Sequence, residues 1–123
     1  MGEPILSIDT AGDVSIVRVH AGKLYQNESM RFREEMLKFL GTERRKVVLD
    51  LSRVRVMNSS AIGVVLLAAD YLKGRKGRLA VGGLNPMLME LFKRMYLHTL
   101  FVVADTPEQA VTSLAGRKKN PAT

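Results

Sequence analysis

KVVLDLSRVRVMNSSAIGVVLLAADYLKG, residues 46–74, sets two apolar runs on either side of one polar break. The first run, Lys46 to Ser52, is short and apolar on both faces, as expected of a central strand covered from two sides. The second carries Ile62, Val65, Leu66, Ala69 and Leu72 at helical spacing, with Gly74 as its expected stop. Between them stand Asn58, Ser59 and Ser60, followed by Ala61. Asn and Ser side chains accept from the free N–H groups of a first helical turn, so this break reads as a helix start. One cap suffices for that purpose. Two neighbouring hydroxyls at a helix N-terminus also make a place where an added phosphoryl group meets unpaired N–H groups and the positive end of the helix dipole.

Working outward, the same alternation repeats. ILSI, residues 5–8, and VSIVRV, residues 14–19, are β-branched segments joined by Ala11, Gly12 and Asp13, the makings of a hairpin. Phe32, Met36, Phe39 and Leu40 predict a helix, with Asn27 or Ser29 as its N-cap and Gly41 as its stop. After the central helix, residues 78–83 (RLAVGG) read as a strand, and Asn85 with Pro86 as the cap and first turn of a helix striped by Leu88, Leu91, Phe92 and Met95. LFVV, residues 100–103, is the expected last strand, and Thr106 with Gln109 forms a capping box around Pro107 for a helix carrying Ala110, Val111 and Leu114. The order β, β, α, β, α, β, α, β, α predicts an α/β fold: one mixed sheet with mostly parallel crossovers, packed by about four helices. No repeat or linker divides it, so residues 1–116 read as one domain and 117–123 as a flexible basic tail.

Composition narrows the chemistry. The chain has no cysteine, and its two histidines, His20 and His98, lack ligand spacing, which argues against a metal site. No apolar run approaches the roughly 20 residues of a membrane span, and the N-terminus lacks a signal-type core, so a cytoplasmic protein without membrane contact is expected. The net charge of +7 invites a nucleic-acid hypothesis. The basic residues fall at segment ends, however, as Arg44–Lys46, Arg75–Arg78 and Arg117–Lys119, with no interleaved aromatics to stack on bases, so no direct nucleic-acid contact is expected. Gly74, Gly77, Gly82 and Gly83 form neither a GxxxxGK[ST] nor a GxGxxG pattern, and Ser59 sits in no GxSxG elbow for a base such as His20 or His98. No catalytic residue or cofactor is expected.

At Asn58–Ala61 the sequence resembles the STAS domain of anti-sigma-factor antagonists, and the likeness runs from about the second strand to Leu114. Asp50-Leu51 matches the family's Asp-Leu strand end, Ser59 and Ser60 the serines of its DSSG-type turn, Gly63 the glycine of the next helical turn, and NPMLMELFKRMYL its third-helix segment. The resemblance implies the STAS fold and a partner switch in which Ser59 is the phosphorylation site. The unphosphorylated antagonist would bind an anti-sigma factor that is also a serine kinase, with ATP belonging to that partner; a serine phosphatase would reverse the modification. The chain itself would not be an enzyme. Asn58, Ser59, Ser60, Ala61 and Tyr25 would form the docking surface, and a homodimer stays open. Asn58 replaces the family's usual Asp, Ala61 its Gly, and Tyr25 the acidic end of a GxLD pattern. If those carboxylates orient the hydroxyl, phosphorylation is slowed or lost here; if they tune docking, the partner differs. A STAS scaffold or regulatory subunit of a signalling assembly or transporter ATPase complex, without phosphorylation, is the alternative.

Overall fold

The computed structural model describes residues 3–115. The expected flexible tail, 117–123, lies outside the described residues. Strands β1 (Leu6–Ala11) and β2 (Val14–Val19) form the expected hairpin, Ala11 opposite Val14, with Gly12 taking the left-handed conformation (φ +64°) that the tight turn demands. The chain continues through β3 (Lys23–Leu24), α1 (Asn27–Leu40), β4 (Lys46–Asp50), β5 (Val56–Met57), α2 (Ser59–Gly74), β6 (Arg78–Gly82), α3 (Pro86–Arg94), a 3-10 turn at Leu97–Thr99, β7 (Val102–Ala104) and α4 (Pro107–Ala115). One five-stranded sheet has the order β1-β2-β4-β6-β7, antiparallel only at the hairpin. β3 and β5 pair in parallel as a separate two-residue ladder.

The central strand behaves as its sequence predicts. Val47 and Leu49 join the larger core, which takes in α1, α2 and α3, while Val48 joins Val14, Ile16, Ala80, Ala110 and Leu114 in the smaller core beneath α4. All three β4 valines and leucines are fully buried.

Several local expectations are corrected. The first helix starts at Asn27, with Gln26 in the N-cap place at φ 54° and no side-chain cap; Ser29 lies inside the helix and is buried. The central helix is buried through Ala61, Ile62, Val64, Val65, Ala68 and Leu72, leaving Leu66 and Ala69 only partly covered. Its face is wider and rotated because α1 and the sheet flank it on two sides. Met95 and Leu100 are exposed rather than core, since the chain turns at Tyr96 (φ 60°) and the last strand begins only at Val102.

Gly74 is not the stop of α2. The left-handed residue is Lys76 (φ 63°), and the Gly77 N–H reaches back to Leu72 O at 2.7 Å, a Schellman closure with lysine in the usual glycine place. Glycine is required one residue later instead: a Cβ on Gly77 would lie 2.4 Å from Arg45 O. Arg78 N–H also donates to Arg45 O at 2.8 Å, so the α2–β6 and α1–β4 connections are locked together.

Candidate functional site

The carboxyl ends of β2, β4 and β6 release three connections that are tied to one another. Asp50, buried at the end of β4, receives Arg18 Nη1 at 2.9 Å on one oxygen and the Ser52 N–H and hydroxyl at 3.0 and 2.6 Å on the other. This fixes the exit of β4, and Leu51 behind it is fully buried. The chain then returns as β5 alongside β3, where Arg55 N–H donates to Gly22 O at 2.7 Å and Asn58 N–H to Leu24 O at 3.0 Å. Asn85 joins the third connection, its Nδ2 donating to Arg55 O at 3.2 Å while its Oδ1 accepts from Leu88 N–H at 2.7 Å to cap α3.

Asn58 is the N-cap of α2. Its backbone is extended (φ −89°, ψ 176°), its carbonyl accepts from Ile62 N–H, and its Oδ1 accepts from Ala61 N–H at 2.8 Å. The Ser29 hydroxyl donates to that same Oδ1 at 3.3 Å. Ser59 and Ser60 are therefore the first two helical residues, both exposed, and Ala61 is fully buried against the core. Among the described residues neither serine hydroxyl has a hydrogen-bond partner. The first turn of α2 holds no acidic side chain. Tyr25 follows Leu24, the acceptor of the Asn58 N–H, and its half-buried ring lies under Lys23 Nζ at 5.3 Å. The structure thus brings Tyr25 and Asn58–Ala61 to one edge of the fold. What sequence reading missed is the β3–β5 ladder that does this and the Ser29 tie behind it.

The histidines serve elsewhere. Ser7 Oγ lies 2.7 Å from His20 Nε2, and Arg53 Nη1 approaches His20 Nδ1 at 3.4 Å. His98 stacks beside Tyr96 at 6.3 Å. Among the described residues no group of three His, Cys, Asp or Glu could hold a metal ion, and no helix is long and apolar enough to cross a membrane.

Comparison with known proteins fits this geometry. The profile of the family described as "Mlab, STAS domain" matches residues 6–104. A candidate anti-sigma factor antagonist of Bordetella bronchiseptica, BtrV, is 36% identical over 69 residues, 56% of this chain, and the match spans 60% of that relative's length. An anti-sigma factor antagonist from Mycobacterium paratuberculosis superposes with a TM-score of 0.80 at 18% identity, covering 89% of this chain and 92% of that one. The Bacillus cell-fate determinant SpoIIAA in its phosphorylated form superposes at 0.67 and 18%, covering 88% and 97%. These solved structures share the arrangement of helices and strands, and with the family profile covering most of its length this chain belongs to the STAS domain family.

Proposed function

We propose that this chain is an anti-sigma-factor antagonist whose binding to an anti-sigma factor with serine-kinase activity is switched by phosphorylation of Ser59. The observation that carries the reading is Ser59 itself, an exposed hydroxyl at the first position of α2, on the edge where three connections are tied together. Similarity to BtrV supports the antagonist role, and SpoIIAA, which shares the fold, is a protein that exists in a phosphorylated form. The chain acts here as ligand and phosphoacceptor; the partner brings ATP and the catalytic groups, and a serine phosphatase resets the switch.

Physics favours the interface over the fold as the point of action. A phosphoryl group brings about −1.5 to −2 charges, which the free N–H groups and positive dipole end of α2 accommodate. A partner surface fitted to a neutral hydroxyl instead meets bulk and unpaired charge on desolvation. Met30, Val56 and Met87, all exposed, flank the edge in the chain: Met30 beside Ser29, Val56 on the β5 ladder, and Met87 just past the Asn85 cap. They give the docking surface an apolar component. The test is mass-spectrometric mapping after incubation with ATP and the cognate anti-sigma kinase. Phosphate on Ser59 alone is expected; phosphate on Ser60 or elsewhere, or none, sinks the switch and leaves the scaffold reading.

A further inference from the structure

Opposite the Ser59 edge, at the amino ends of β2, β4 and β6, the α1–β4 and α2–β6 connections enclose a basin of about 660 Å³. Arg44, Arg45, Lys46, Lys76 and Arg78 line it against two carboxylates, Asp13 and Glu43. Lys46 Nζ is paired to Asp13 at 3.0 Å, and Arg44 Nη1 donates to Ser15 Oγ at 2.8 Å. Among the described residues the side chains of Arg45, Lys76 and Arg78 have no hydrogen-bond or ion-pair partner, and all three are exposed. We propose that this basin is a second binding site, for a short linear chain of phosphates.

Three features set it apart from a solvated basic turn. The cations come from two connections whose backbones are tied together: Arg78 N–H bonds Arg45 O at 2.8 Å, and Gly77 packs too closely on Arg45 for any side chain. Lys76 is held at φ 63°, a conformation that glycine would adopt at no cost, so a cation occupies a position where the fold alone favours glycine. Gly12 at the hairpin turn, with open space around its Cβ position, keeps the opposite rim low.

The lining also names the ligand class. Arginine forks match phosphate oxygens two at a time, and lysine adds point charge, so the three unpartnered cations, Arg45, Lys76 and Arg78, suit a multiply charged oxyanion. Among the described residues no aromatic or large apolar side chain lines the basin, which leaves a nucleobase or acyl chain nothing there to stack or pack on. A ligand made of phosphates alone fits, and the three unpartnered cations exceed the charge of one phosphate, about −1.5 to −2, so a short chain of phosphates matches them better. Inorganic polyphosphate and the triphosphate of a nucleotide share this chemistry.

Titration calorimetry with inorganic triphosphate, at about 100 mM salt, tests the site. One-to-one binding is expected, weakened roughly fivefold or more by either Arg45→Gln or Lys76→Gly. Lys76→Gly removes the charge while relaxing the backbone, so its melting temperature should hold or rise and misfolding cannot explain the loss. The pair Arg33→Gln and Lys93→Gln, which removes twice the charge of either basin variant but on α1 and α3 away from the basin, should leave affinity unchanged, as should Ser59→Asp. ATP binding within about twofold of triphosphate supports a phosphate-only site with a nucleotide source; ATP binding tenfold tighter overturns it. So does citrate binding as tightly as triphosphate, an equal loss in the remote pair, tighter binding of a single-stranded oligonucleotide or of anionic vesicles, or no binding at all.

Discussion

The buried Ser29 hydroxyl donates to the Asn58 side-chain oxygen at 3.3 Å, joining the first turn of α1 to the residue that starts α2. Because Ala61 N–H donates to the same oxygen at 2.8 Å, one atom is both helix cap and interhelical tie. Asn58→Ala removes both bonds and leaves the Ser29 hydroxyl buried without a partner, so a loss of about 1–2 kcal/mol is expected in urea unfolding. Asn58→Asp keeps an acceptor for both hydrogen bonds and places a carboxylate at the positive helix end, and should hold or raise stability by about 0.3–1 kcal/mol. If a carboxylate here also orients the Ser59 hydroxyl, Asn58→Asp speeds phosphorylation by the partner kinase in single-turnover assays. A loss of only a few tenths for Asn58→Ala would mean that the tie carries no weight.

The two leucines of α2 should separate by burial. Leu72 is 1% exposed within the larger core, and truncation to alanine should cost about 2–5 kcal/mol. Leu66 only packs against that core from its margin, so Leu66→Ala should cost about 1–2 kcal/mol. Chemical denaturation of both variants would show the helix face to be misplaced if the order were reversed.

Glycines at 63 and 77 should respond in opposite directions. A Cβ at Gly77 would sit 2.4 Å from the Arg45 carbonyl oxygen, so Gly77→Ala forces two connections apart at about 1–3 kcal/mol. Gly63 has open space at its Cβ position inside a helix, and Gly63→Ala should stabilise by about 0.5–1 kcal/mol. Gly63 lies one turn beyond Ser59 and is exposed, so the same methyl should weaken partner binding while the fold gains stability. Thermal melts and binding titrations on one sample give both readings.

What could be read from residues alone follows from where the determining forces are local. The hairpin, the alternation of strands and helices, and the caps at Asn58, Asn85 and Thr106 rest on neighbours in sequence, and they stand in the structure as expected. β3 and β5 are two residues each, too short for any hydrophobic period to register, and exist through their pairing with one another. Ser29 has the chemistry of an N-cap, yet its hydroxyl is spent on a partner 29 residues away. At the end of α2 the glycine that looked like a helix stop is helical, because the tight approach to Arg45 claims Gly77 and leaves Lys76 to take the left-handed turn. Long-range contacts, invisible to spacing, decided each of these.

The central claim is that charge on Ser59 controls the interface while the domain stays folded. The most direct test is titration of the cognate anti-sigma kinase with wild-type, Ser59→Ala and Ser59→Asp chains, alongside their melting temperatures. Ser59→Ala should bind like the unmodified protein, and Ser59→Asp should bind at least about tenfold more weakly, a difference of roughly 1.4 kcal/mol, with little change in melting temperature. Full phosphorylation needs about 5.5 kcal/mol of differential affinity to drive the complex from nearly all bound to nearly all free. Equal affinity of Ser59→Asp and Ser59→Ala for that kinase would contradict the account.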